Sequence, residues 1–409
     1  MTLVALADSD SYLKWVAGTA ERLAEQAPWT VGDVALQLLA NPVLPSEPQR
    51  RAALDRTRWR SRDLAVLALD DLVEQVRQRR PDAVLVGMRG PAAAVVLREL
   101  AELPHRPVLV TGLPGVAIPA TRKALFYRAQ ADLMLVHSRG ERRAFAARAR
   151  ELGWPQRFAL STLPFLERHA SAGDDIVFAA QALVPASLDE RRWLVARLDE
   201  LARRRPERRV VLKVRAGAGE QQTHAERWPL AALLDELPHR APNLIVRGGS
   251  MLQTLDTAGA LATVSSTAIV EAVARGIPSI ALDDFGVDDA LINTVFRGSG
   301  LLGSVADMLE GRFRMPAAAW AADNYLHAEA DADAATALAE LVAERAGGGL
   351  PTRRPVRSTL GGPLRRAWDR KTALGAHDRS VSGAAALAVG APARAIVTGA
   401  RRVRSALAR

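Results

Sequence analysis

The densest chemistry in this sequence lies between residues 260 and 286. Ser265-Ser266-Thr267 follows the apolar run Ala260-Leu261-Ala262-Thr263-Val264 and leads into a stretch suited to a helix, 266–275. A strand that delivers small hydroxyl residues to a helix start presents free backbone N–H groups and the positive end of the helix dipole. Such a place attracts a phosphate, and short side chains let it approach closely. Glu271 stands one turn after Thr267 on the same face, where it can reach a ribose or sugar hydroxyl. Gly276-Ile277-Pro278 then turns the chain into the strand Ser279–Leu282. Ser or Thr alone at a helix start is an ordinary N-cap. The segment as a whole says more.

A second group opens the chain. Asp8-Ser9-Asp10-Ser11 closes the first apolar run, Leu3–Ala7. Ligands of open α/β sheets bind at the carboxyl ends of strands. Capping needs one carboxylate and two are present, so Asp8 or Asp10 is a candidate general base for an acceptor hydroxyl. Gly112, in Thr111-Gly112-Leu113-Pro114-Gly115, permits a tight backbone after a strand. Arg122, Lys123 and Arg128 can meet an anionic acceptor or a phosphate. His137 and Gln181 end strands and are expected to face a cleft. Asp283-Asp284 follows a strand as well, and the pair has the chemistry to hold a divalent metal.

These residues require a scaffold of alternating strands and helices. Strands are expected at 3–7, 31–39, 82–88, 107–111, 132–137 and 158–160, with helices between them. The runs Ala83-Val84-Leu85-Val86 and Leu133-Met134-Leu135-Val136 are apolar throughout, as in parallel strands covered on both faces. A polar stretch at 168–174 reads as a linker. The pattern restarts with strands at 176–181, 210–214, 243–246, 260–264 and 279–282. The expected fold is α/β: two Rossmann-like domains, 1–167 and 175–346, with parallel sheets facing a cleft. Residues 347–409 read as a basic, flexible tail.

Composition narrows the function. A chain of 409 residues without cysteine has no disulfide, zinc thiolate site or cysteine nucleophile. The net charge is +10, but 351–409 holds 13 Lys/Arg and 2 Asp/Glu, a balance of +11, leaving −1 for residues 1–350. A near-neutral core argues against nucleic acid. A basic tail points to an anionic surface, with contact at the inner face of a plasma membrane as the expectation. The start is too short for a signal peptide and no stretch suits a membrane span, so a cytoplasmic protein is expected. No Gly-x-Gly-x-x-Gly follows the first strand, which argues against a dinucleotide cofactor.

The segment Ser265-Ser266-Thr267…Glu271-Ala272…Arg275-Gly276-Ile277-Pro278-Ser279-Ile280 resembles the donor-site signature of glycosyltransferase-B enzymes. It is nearest to capsule polysaccharide transferases, CDP-glycerol transferases and bacterial sialyltransferase-like proteins, and to a little-characterised family of bacterial glycosyltransferases. The resemblance implies a metal-independent transferase with no cofactor beyond its substrate. The donor would be a nucleotide-activated sugar and the acceptor a cell-envelope or capsule glycan or glycolipid. A glycerophosphate-type transferase, a sugar-nucleotide epimerase and a non-catalytic scaffold are the alternatives. Many relatives carry Lys-x-His-Pro where this chain has Lys213-Val214-Arg215-Ala216. Lys213, Arg215 or His224 would then neutralise the donor phosphate. The turn Arg247-Gly248-Gly249-Ser250 would contact the nucleotide base.

Overall fold

The computed structural model describes residues 1–26, 33–154, 156–214, 226–353 and 362–390. Seven strands form the first sheet: β1 (Thr2–Ala7), β2 (Asp33–Leu39), β3 (Val66–Leu67), β4 (Ala83–Gly87), β5 (Val108–Gly112), β6 (Leu133–Val136) and β7 (Arg157–Leu160). Six form the second: β8 (Asp175–Ala179), β9 (Val210–Lys213), β10 (Leu244–Arg247), β11 (Ala258–Thr263), β12 (Ser279–Leu282) and β13 (Leu302–Gly303). Every named strand pairing is parallel. The orders are β3-β2-β1-β4-β5-β6-β7 and β10-β9-β8-β11-β12-β13. This is the two-domain Rossmann-like α/β architecture that the apolar strands imply. In each sheet the order reverses once, between β1 and β4 and between β8 and β11. Those two switch points create the crevices where α/β sheets hold ligands.

Two strands have no counterpart in the sequence reading. β3 and β13 are two residues long, too short to show a pattern. The helix Glu47–Leu54 was also unread, although Ser46 and Gln49 close a capping box at its start.

The end of the chain corrects two expectations. The helix Ala334–Ala346, assigned above to the second domain, packs on β5, β6 and β7 of the first. Leu338 and Leu341 are buried there, each contributing about 1.5–3 kcal/mol on removal from water. Arg157–Glu344 at 2.8 Å and Arg142–Asp333 at 2.7 Å fix its approach. The chain therefore crosses between the sheets twice, once after β7 and again before this helix. Nor is 347–409 a flexible tail throughout. The helix Gly362–Leu374 lies on the helix Gly90–Ala101, and Ala373 and Leu374 join the core formed by Val4, Leu6, Leu69 and Leu97. Arg370 binds Asp70 in a bidentate pair, at 2.8 and 2.6 Å.

Candidate functional site

The second crevice lies at the ends of β8 and β11 and is bridged by one amide. Gln181, just past β8, donates from Nε2 to Ser265 Oγ at 2.8 Å and accepts the Ser265 N–H at 2.8 Å. Thr263 Oγ1 donates to Ala179 O at 2.9 Å and accepts the Ser266 N–H at 3.3 Å. Ser266 Oγ then accepts the Ala268 N–H at 3.2 Å. The hydroxyl turn and the strand-end Gln read from sequence thus meet in a single uncharged network. Ser266 and Thr267 remain partly exposed at its edge.

The first domain comes down on this turn. Thr267 Oγ1 accepts the Val116 N–H at 3.3 Å, and a Cβ on Gly115 would lie 2.4 Å from that oxygen. Gly115 is therefore the residue whose lack of a side chain lets the two domains touch here. Glu271 is held by a partner from the other domain. It is 6% exposed and its carboxylate is held at 2.9 Å by Lys14, from the helix Asp10–Gln26 of the first domain. Lys14 was missed because nothing in its local sequence points to a partner 257 residues away.

The other donor-side residues divide. Lys213 is buried at the end of β9, with Nζ donating to Val214 O at 2.7 Å and Gly249 O at 2.8 Å. Gly249 has φ +76°, a conformation glycine adopts without strain, and Gly248 borders open space. Arg247 corrects an expectation. Its guanidinium folds back to Thr257 Oγ1 at 3.1 Å and Asp175 Oδ2 at 3.5 Å, at the amino-terminal ends of the central strands β8 and β11. A carboxylate and a hydroxyl draw it there. Arg215 and His224 lie outside the described residues. Asp284 accepts the Val305 N–H at 2.7 Å, and burial raises its pKa.

The first crevice, between β1 and β4, is filled by charge. Asp8 is fully buried, and its carboxylate accepts Arg89 Nε at 2.9 Å and the Arg89 N–H at 3.2 Å. Asn41 completes the group: Arg89 Nη2 donates to its Oδ1 and its Nδ2 donates to Asp8 O, both at 2.8 Å. Burial raises the Asp8 pKa against the opposing pull of Arg89. Asp8 thus holds β1 to β4 and has no path to an acceptor, which corrects half of the general-base expectation. Asp10 begins the helix Asp10–Gln26 and keeps solvent access.

Arg128 is buried close by. It donates to Gly112 O at 3.1 Å, Met88 O at 3.0 Å and Tyr12 Oη at 2.7 Å. Its charge reaches the crevice as a field and not as a contact. Gly112 and His137 also prove to be internal. A Cβ on Gly112 would meet Trp15 Cζ2 at 2.5 Å. His137 is 1% exposed; its Nδ1 faces Ser161 O at 2.8 Å and its Nε2 accepts from Trp15 Nε1 at 2.7 Å. Burial lowers its pKa to about 4, so the ring is neutral. Both were expected to face the cleft, and Trp15 occupies that space instead. Arg122 and Lys123 are exposed, over the rings of Trp154 and Tyr127. A third polar group was unread: Glu141 accepts the N–H groups of His137 and Ala117 and the Tyr325 hydroxyl, tying the returning chain to the first domain.

Among the described residues, no helix is long and apolar enough to cross a membrane. In solved structures the fold is similar to a putative UDP-N-acetylglucosamine 2-epimerase from Listeria monocytogenes, at 10% identity and TM-score 0.54, covering 86% of this chain and 98% of that one. It is also similar to UDP-GlcNAc 2-epimerase from Neisseria meningitidis bound to UDP-GlcNAc, at 10% and 0.53, covering 84% and 100%. The S. aureus MnaA–UDP co-structure is a further neighbour, at 10% and 0.51, covering 86% and 99%. At this identity the likeness concerns the fold, the glycosyltransferase-B architecture. No curated protein matches the chain in sequence. A family model spans both sheets and both crevices, matching residues 3–341, and by it the chain belongs to the family described as "Putative glycosyltransferase (DUF6716)".

Proposed function

We propose that this chain transfers a sugar from a nucleotide-activated donor to a cell-envelope or capsule glycan or glycolipid. The reading is of a metal-independent enzyme with no cofactor beyond its substrate. The observation that carries it is the family match across both domains. The fold neighbours determined with UDP or UDP-GlcNAc support a nucleotide-sugar donor.

In this reading the donor phosphates lie on the Ser265–Thr267 turn, whose uncharged donors suit an anion. Lys213 and Arg215 supply positive charge to the leaving group, and Gly248 and Gly249 let the backbone approach the base. Glu271 turns from Lys14 to a donor hydroxyl as the nucleotide enters. The acceptor lies at the first crevice, near Arg122 and Lys123. Asp10 takes the acceptor proton while the hydroxyl oxygen attacks the anomeric carbon and the nucleotide departs with the bonding pair. Separation of Val116 from Thr267 admits the donor, and closure excludes water.

The likeness to 2-epimerases gives a second reading, isomerisation of the donor sugar without an acceptor. Calorimetry of the full chain against CMP, CDP, UDP and GDP tests the donor site. One nucleotide should bind, about tenfold more weakly in Ser266→Ala/Thr267→Ala, as for a lost hydrogen bond to a charged group. Asp10→Asn should retain that binding and lose transfer. Binding of none, by folded protein, sinks the donor assignment. A sugar product still attached to its nucleotide supports isomerisation.

A further inference from the structure

The chain beyond residue 361 presents an apolar surface that the fold does not use. Residues 381–390, Val-Ser-Gly-Ala-Ala-Ala-Leu-Ala-Val-Gly, are helical. Gly383 and Ala386 are its buried positions. Gly390 sits so close to Trp368 that a Cβ there would come within 2.3 Å of the indole. The remaining positions are apolar except Ser382, and they are exposed: Val381 at 86%, Val389 at 61% and Leu387 at 43%. Leu364 on the adjoining helix adds another apolar side chain at 47%. No charge interrupts these ten residues. A surface helix of a soluble domain carries polar side chains on its outer face, so an outer face of this kind marks an interaction site.

Charge identifies what covers it. The 19 residues that follow in sequence, 391–409, hold five Arg and no Asp or Glu. Arg379, in the turn leading into the helix, is exposed as well. A second copy would bring the same excess of positive charge against itself, which opposes self-association. An anionic lipid surface complements both parts. Apolar side chains enter the boundary between headgroups and acyl chains, and guanidinium groups pair with headgroup phosphates.

We propose that helix 381–390 docks this chain on an anionic membrane, its outer face lying in the headgroup boundary and the basic sequence after it adding attraction to the surface. The surface adjoins the first crevice. Gly375, in the turn before it, packs on Pro42, the neighbour of the Asn41 that holds the end of β1. Docking would therefore set the carboxyl ends of β1 and β2 on the lipid side of the domain. The proposal is independent of the transferase reading, since it concerns a surface outside both crevices.

Flotation of the full chain with two vesicle types tests it: phosphatidylcholine alone, and phosphatidylcholine with phosphatidylglycerol in equal parts. The protein should float only with the mixed vesicles and be released as salt rises. Val381→Glu/Val389→Glu, at two well-exposed positions, should weaken partition at least about tenfold with an unchanged melting temperature. Arg401→Glu/Arg402→Glu/Arg404→Glu should do the same through the electrostatic part. Absence of flotation overturns the proposal, as does equal flotation of either variant and the parent. A dimer that Val381→Glu/Val389→Glu converts to monomer also overturns it and assigns the surface to a second copy.

Discussion

The two crevices arise from the same strand order and hold opposite kinds of polar group. At the β1–β4 switch point the chain has buried the Asp8 carboxylate and the Arg128 guanidinium, with the half-buried Arg89 paired to Asp8, the group stitched together by Asn41, Tyr12 and backbone carbonyls. At the β8–β11 switch point it has placed an amide and hydroxyls, Gln181, Thr263, Ser265 and Ser266, with no ion pair at the turn itself. Topology supplies the place, and the residues at the strand ends decide its electrostatics. A buried ion pair fixes shape, because separating it is costly. A neutral network of single hydrogen bonds rearranges at lower cost and can redirect N–H and O–H groups to an incoming anion. The rigid crevice is the one the reading assigns to the acceptor and the adaptable one is assigned to the donor.

Breaking each crevice in turn should reveal the difference. Asp8→Ala leaves Arg89 facing an apolar gap and should cost about 3–4 kcal/mol in urea unfolding, toward the lower end for a buried pair because Arg89 retains some solvent contact. A loss below about 1 kcal/mol would show that the pair does not set the crevice. His137 gives the next effect, through pH. Its folded value of about 4 lies below the ordinary 6.5, so between these values the unfolded chain binds the proton and the folded chain does not. Stability is therefore full above about pH 6.5 and falls as pH drops toward 4, by about 3 kcal/mol in all. His137→Gln should flatten that part of the pH profile. Gly112→Ala forces a methyl against Trp15 and should cost about 2 kcal/mol, measured by thermal unfolding. In the other crevice Gln181→Ala should cost only about 1 kcal/mol. A cost for Gln181→Ala equal to that of Asp8→Ala would erase the distinction between the two.

Most of the scaffold was legible in the sequence, and the physical reason is burial. Strands covered on both faces must be apolar at every position, so Ala83–Gly87 and Leu133–Val136 stand out from any surface segment. The hydroxyl turn after β11 and the acidic pair after β1 were legible for a related reason, since strand ends are where open sheets expose their polar groups. Side-chain direction was not legible. Arg247 turns back to the starts of β8 and β11 because Asp175 and Thr257 stand there, and Asp175 is distant in sequence. Glu271 is claimed by Lys14 across the domain boundary. Nothing local to Trp15 shows that it fills the space under Gly87 and Gly112 and fixes the tautomer of His137. Residues 334–346 were counted with the second domain because they follow it in sequence, and nothing local in them names the sheet that the helix covers.

The double crossing of the chain has a mechanical consequence. Two bodies joined by one strand of polypeptide can swivel in any direction. Joined by two crossings, they retain chiefly one freedom, rotation about the line between the crossings, as pages turn on a spine. The contacts Val116–Thr267 and Lys14–Glu271 both lie across that seam, so they part in the same stroke. Opening about that line is expected to free Thr267 and Glu271 together.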